Sequence, residues 1–217
     1  MEGLIYKVQP YQESGRLLFV YTPQGKRTLL AQGAQKMNNM TRVLAQYLTQ
    51  IEFKDTKKSF MTLTEPKLLH DFEDMKRDYQ KTKSAAVILE IIDQLVVDDY
   101  SHVLIYKEMM QALLSPDVSI SALSFALKIL KPLGYDINLS GDGRKVIGVN
   151  IDKGGLIYQN QNDMIDLDTK DAILLLKLYY MPYQELADLE YKSLKSIQNF
   201  IVKYYQYHLQ TTLKNLQ

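Results

Sequence analysis

The chain has 217 residues, 46% of them hydrophobic and 24% charged, with a formal net charge of +1, so it is long enough for one large domain or two small ones and its overall charge selects no partner. It contains no cysteine, and its three histidines, His70, His102 and His208, are widely spaced, which excludes disulfides, thiolate nucleophiles, cysteine zinc sites and an H-x-x-x-H metal pair. No run approaches the ~18 apolar residues of a membrane span, and the start, MEGLIYKVQPYQESG, lacks a basic segment leading into an apolar core, so the chain reads as a cytoplasmic protein without signal peptide or membrane contact.

Residues 1–65 read as about five short strands. GLIYKV and RLLFVY come first, the second more continuously apolar than alternating. TPQGK is a turn, with Pro23 fixing φ and Gly25 tolerating positive φ. RTLLAQ returns, the polar segment GAQKMNNMTR follows as a loop, and YLTQIEF and SFMTLTE flank the charged turn KDTKK. Short strands with turn signals between them are the pattern of a small barrel, of the OB type or the SH3-like type.

The period changes after Pro66. Tyr79, Ala86, Leu89, Ile92 and Val96 recur at helical spacing, so DMKRDYQKTKSAAVILEIIDQLVVDD reads as a helix. YSHVLIYKEMMQALLS gives a second helix, and SISALSFALKILKPLGY a third that closes at Pro132 and Gly134. A hairpin then spans about residues 138–162, from LSGDGRKVIGVN into IDKGGLIYQNQN. LDTKDAILLLKLYY forms a fourth helix with Asp166 or Asp168 as its cap. Leu194, Ile197, Ile201, Tyr205 and His208 form a stripe on the last.

No catalytic constellation is present. There is no Walker A loop and no G-x-S-x-G elbow, and the acidic cluster NDMIDLDTKD is what a helix start collects. An enzyme, a cofactor and a bound metal are not expected. The charge points elsewhere. Residues 1–60 hold nine Lys/Arg against four Asp/Glu, while residues 61–139 hold eight against twelve, so the first part attracts a polyanion and the middle does not. Arg16, Lys26, Arg27, Lys36, Arg42, Lys57 and Lys58 lie on or beside the predicted barrel strands and are the candidate DNA contacts. A surface that tracks single strands needs rings as well as cations, and Tyr6, Tyr11, Tyr21 and Tyr47 are the candidates, although Tyr21 sits in an apolar strand suited to the core. Lys36 and Arg42 share the loop with Asn38 and Asn39, which would add hydrogen bonds.

The run GLIYKVQPYQESGRLLFVYTPQGKRTLLAQGAQKMNNMTR, the central ILKPLGYDINL and the closing FIVKYYQYHL resemble the family of the bacterial recombination mediator RecO over nearly the whole chain. The resemblance implies an α+β protein: a small OB-type β-barrel that binds DNA over residues 1–70, then an all-helical domain over residues 71–217 carrying the inserted β-hairpin. It also implies binding of single- and double-stranded DNA, strand annealing and nucleoid association. With RecR as partner, the protein would load RecA onto strands coated by single-stranded DNA-binding protein, whose C-terminal tail would be a further partner. Two departures stand out. Tyr158 and Gln161, with Ser140 and Gly143, occupy the positions of the family's four zinc-knuckle cysteines, so zinc is not expected. Gln32 and Gln35 stand where the family usually has basic residues, which lowers the expected phosphate affinity. A competing reading is an adaptor whose tyrosine-rich helical domain offers an apolar groove to an acidic tail, with little DNA binding of its own.

Overall fold

Three strands, β1 (Glu2–Tyr11), β2 (Gly15–Thr22) and β3 (Gly25–Ala31), open the chain as an antiparallel meander. At the expected turn, Gly25 takes φ +102° and the Thr22 hydroxyl donates to its carbonyl at 2.7 Å. After the short helix α1 (Thr41–Leu44), β4 (Thr49–Glu52) pairs antiparallel with β1, and β5 (Phe60–Thr62) returns parallel to β3. A sixth strand, β6 (Lys67–His70), adds to β4, giving the order β5-β3-β2-β1-β4-β6. The sequence pattern does not foretell β6 because all four of its residues are exposed, so it has no buried face to generate alternation. Beyond the ends of β4 and β5, the Lys54 amide donates to the Thr64 carbonyl at 3.4 Å. The two flanks of the sheet meet there, and no ladder closes them among the described residues, as suits a partly open barrel.

The computed structural model describes residues 1–56, 58, 60–187 and 194–217, and the chain divides into two units, Met1–Thr82 with Ile92–Lys107 and Lys83–Ile91 with Glu108–Gln217. In the first, Ile5, Leu18, Val20, Leu29, Ile51 and Phe53 pack one core. Leu18 and Val20 alternate into it, yet Tyr21 is also fully buried, its hydroxyl 3.1 Å from His102 Nδ1 and its ring beside Tyr106. Both faces of the end of β2 are covered, so that stretch is continuously apolar.

The helices follow α2 (Glu73–Arg77): α3 (Tyr79–Leu95), α4 (His102–Leu113), α5 (Val118–Lys128), α6 (Thr169–Tyr180) and α7 (Leu194–His208). The first expected helix is in fact two. Asp78 is extended and caps α3 by accepting from the Gln80 and Lys81 amides, which leaves Tyr79 in the first turn, 76% exposed rather than on the buried face. Asp168, not Asp166, caps α6 by accepting from the Asp171 amide at 2.9 Å. In the second unit α5 is buried almost throughout and is tied to both later helices. Ser124 Oγ donates to the Leu178 carbonyl at 2.6 Å, and Tyr205 Oη to the Ala126 carbonyl at 2.7 Å. Leu194, Ile197, Ile201 and Tyr205 line the buried face of α7 as their spacing implies, with His208 half-buried; the predicted start of that helix, Glu190–Ser193, lies outside the described residues.

The hairpin forms from β7 (Val146–Asn150) and β8 (Gly155–Tyr158), and a third strand, β9 (Leu167–Asp168), pairs with β7. Gly148 makes this possible, because a Cβ there would strike the Leu167 carbonyl. On the other side Asn138 brackets β8, its amide donating to Gly154 O at 2.7 Å and its carbonyl accepting from Leu156 N at 3.1 Å. Asp166 adds a brace by accepting from the Ile151 amide at 2.8 Å. Of the apolar residues in the hairpin, Val149 and Ile157 are fully buried, while Ile147 and Leu156 are partly exposed.

The donor set at the implied zinc positions does not fit that metal, having neither thiolate nor imidazole. Those residues instead bond to one another. Tyr158 Oη donates to the Ser140 carbonyl at 3.1 Å, the Tyr158 amide donates to Gln161 Oε1 at 2.7 Å, and the Arg144 guanidinium lies 4.3 Å from the Tyr158 ring centre. Gln161→Ala removes the side-chain acceptor of the Tyr158 amide. The expected result is a loss of about 1 kcal/mol in urea unfolding and faster hydrogen exchange at that amide; unchanged exchange would remove Gln161 from the account.

Candidate nucleic-acid interface

Of the seven cations expected to contact DNA, the structure gathers Arg16, Lys36 and Arg42 around the loop that joins β3 to β4. The backbone of this loop is a run of β-turns. Lys36 N donates to Gly33 O at 3.0 Å, Asn39 N to Lys36 O at 3.2 Å and Arg42 N to Asn39 O at 2.9 Å, and the run ends in α1. Side chains pin it. Asn39 donates from Nδ2 to the Gln32 carbonyl at 3.3 Å and accepts at Oδ1 from the Thr41 amide at 2.8 Å. Gln35 Nε2 donates to the Gly15 carbonyl at 2.6 Å, and Arg16 Nη1 to the Ala45 carbonyl at 2.9 Å. Gly33 has φ +66°, and a Cβ there would lie 2.7 Å from Asn39 Nδ2, so the turn requires glycine.

Two hollows flank this loop. One of about 460 Å³ is lined by Arg16, Gln35, Arg42, Gln46 and Tyr47. The other, of about 960 Å³, is lined by Tyr11, Glu13, Ser14, Gln32, Lys36 and Asn39 among others. Each holds at least one cation, one ring and several amide or hydroxyl groups, the combination that tracks a nucleic-acid backbone and stacks its bases. Lys36 is exposed and Arg42 half-buried, and neither side chain has a hydrogen-bond or ion-pair partner among the described residues. Tyr11 and Tyr47 stand with these cations, whereas Tyr6 and Tyr21 are core residues, 6% and 0% exposed.

The other expected contacts lie apart from this loop. Lys26 Nζ donates to the Asp93 carbonyl at 2.9 Å and lies over the Tyr6 ring; burial pushes its pKa down while Asp93 pulls it up. Arg27 folds back on its own turn, donating to the Lys26 carbonyl at 2.9 Å. Lys58 is exposed just before β5, and Lys57 lies outside the described residues. Sequence reasoning treated Gln35 only as a missing charge and gave no sign of its bond to Gly15, because an amide tether leaves no pattern in a sequence.

A separate groove of about 430 Å³ lies within the second unit, lined by Ile151, Asp152, Met164, Asp166, Lys203 and Tyr207 among others. Asp152 accepts from the Tyr207 hydroxyl, and Asp166 from the Asn150 side chain at 3.2 Å. Among the described residues no group of three or more His, Asp or Glu converges as a metal site, and no helix is long and apolar enough to cross a membrane.

A family model described as the C-terminal part of recombination protein O matches residues 76–217. The DNA repair protein RecO of Clostridium perfringens is 31% identical over 144 residues, which are 62% of this chain and 58% of that protein. That of Clostridium acetobutylicum is 24% identical over 148 residues, 63% of this chain and 58% of that protein. That of Bacillus mycoides is 23% identical over 140 residues, 62% of this chain and 56% of that protein. These matches therefore span less than two thirds of the relatives' own length. With the family model covering well over half of its residues, and the strand-rich and helical parts in the order the resemblance implies, the chain belongs to the recombination protein O (RecO) family.

Proposed function

We propose that this chain is a non-enzymatic mediator of DNA repair by homologous recombination, which binds single- and double-stranded DNA and brings complementary strands together. The observation that carries the reading is the pinned loop between β3 and β4, where Lys36 and Arg42, without partners among the described residues, stand beside Tyr11 and Tyr47. Arg16 holds the loop and adds charge; Lys58, Lys57, Lys26 and Arg27 would extend the contact along the strand-rich segment 1–70. RecR, RecA and the C-terminal tail of single-stranded DNA-binding protein are the proposed protein partners, with RecR supplying the charge that Gln32 and Gln35 do not.

The test is fluorescence anisotropy of a labelled single-stranded oligonucleotide across a salt series. Binding should weaken with salt, and Lys36→Ala/Arg42→Ala should make the log–log slope shallower by about 1.4, the value for two lost phosphate contacts on a single strand. A flat salt response of the unaltered chain would sink the proposal. The adaptor reading rests on the groove of the second unit receiving an acidic tail. Its charges run against that occupant: among the described lining residues Lys203 is the one cation, against Asp152 and Asp166.

A further inference from the structure

The polar side of the loop between β3 and β4 accounts for Lys36, Asn39 and Arg42, but not for the residues between them. Met37 and Met40 are 85% and 88% exposed, and Val43, at the same spacing, is 62% exposed. Lone exposed apolar residues need no explanation. Here three recur every third position, in a loop whose backbone is closed by hydrogen bonds at Lys36, Asn39 and Arg42. Met37, Met40 and Val43 each follow directly on Lys36, Asn39 and Arg42 in the chain. The loop is held by the Asn39 and Gln35 hydrogen bonds, so the methionines are displayed by a fixed backbone.

We infer that Met37 and Met40 form an apolar wedge that inserts between bases of the bound DNA strand while Lys36 and Arg42 hold its phosphates. The occupant follows from the charge. Two cations without a partner among the described residues stand beside the methionines in the chain, no carboxylate lies between Lys36 and Arg42, the one carboxylate lining the hollow beside Lys36 is Glu13, and DNA is a ligand that offers phosphates and apolar base faces together. Methionine is suited to such insertion, because its unbranched thioether adapts to irregular gaps and methionine wedges can unstack base steps. A mediator that anneals strands must undo the self-stacking and local pairing of a single strand before a new partner can zip onto it. The wedge supplies that step. This inference rests on the proposed DNA-binding function and assigns the part of the loop that opens the bases.

The experiment uses the full chain and a single-stranded oligonucleotide carrying 2-aminopurine, whose fluorescence rises when it unstacks. The unaltered chain should raise the signal on binding. Met37→Gln/Met40→Gln should abolish the rise and weaken binding by about tenfold, from the lost apolar contact, while leaving the salt slope unchanged because the phosphate contacts remain. Lys36→Ala/Arg42→Ala should instead flatten the slope. Far-UV circular dichroism should match the unaltered chain, since both methionines are on the surface. Salt-dependent binding with no fluorescence rise, or a rise that survives in the methionine variant, would overturn the wedge and leave the DNA-binding function standing. No binding by the unaltered chain would overturn both. A methionine variant with unchanged DNA binding and altered self-association in sedimentation would assign the methionines to a protein contact and overturn the wedge.

Discussion

Replacing Tyr205 with alanine is expected to destabilise the second unit by about 3–5 kcal/mol, the range for deleting a large buried aromatic side chain. The side chain is fully buried in the last turn of α7, so little room exists for water to refill the space. It also makes a specific bond. Its hydroxyl donates at 2.7 Å to the Ala126 carbonyl, and α5 ends at Lys128. Ala126 is therefore among the last four carbonyls of that helix, which have no intrahelical donor. Tyr205 supplies one from a distant part of the chain. Tyr205→Phe keeps the ring and leaves that carbonyl buried and unpaired, so it should cost about 1–3 kcal/mol. Urea unfolding followed by far-UV circular dichroism should rank the unaltered chain above Tyr205→Phe and that above Tyr205→Ala. An alanine variant within 1 kcal/mol of the unaltered chain would contradict the packing.

The same residue shows what a sequence reveals and where it falls silent. Leu194, Ile197, Ile201 and Tyr205 are legible as a stripe because helical spacing puts them on one face of α7, but nothing local says that Tyr205 caps α5. Period carries the helices and the meander. It fails where an element is too short or has no buried face, as with the two residues of β9 and the four exposed residues of β6. It also fails to separate Asp166 from Asp168, two carboxylates at one helix start, because their roles depend on whether Ile151 or Asp171 presents the amide. At the candidate interface residue type was legible and commitment was not. Lys26 and Lys36 look alike in sequence, yet Lys26 is held by the Asp93 carbonyl and Lys36 has no partner among the described residues. Gln35 departs from the resemblance in charge and proves to be a tether of the loop. The zinc-knuckle positions follow the same rule: the loss of metal ligands could be read directly, but the hydrogen bonds among Ser140, Tyr158 and Gln161 that now join them could not.

Raising the pH above about 10 is expected to unfold the protein within roughly two units, through its tyrosines. Several phenols are buried, and burial pushes their pKa values up from 10.0: Tyr106 and Tyr204 to about 12, Tyr21 and Tyr183 further, and fully buried Tyr205 well above the ordinary value. For Tyr183 the Glu108 carboxylate, which accepts from its hydroxyl at 2.7 Å, adds to the same direction. In the unfolded chain each phenol ionises near 10. Below that pH both states are protonated and the stability is fully present. Above it the unfolded state loses protons that the folded state keeps, so stability falls by about 1.4 kcal/mol per pH unit for each phenol still held neutral. Tyr183 and Tyr205, the most deeply buried of the set, together take away about 5 kcal/mol between pH 10 and 12, comparable with the whole stability of a typical domain. The share of the tyrosinate absorbance near 295 nm that belongs to the buried phenols should therefore rise in one cooperative step that coincides with loss of far-UV ellipticity. Tyr205→Phe should shift that step to higher pH relative to its own stability at neutral pH, because one ionising group is gone. Smooth titration of all sixteen tyrosines near pH 10 with the fold intact would show that the phenols reach solvent.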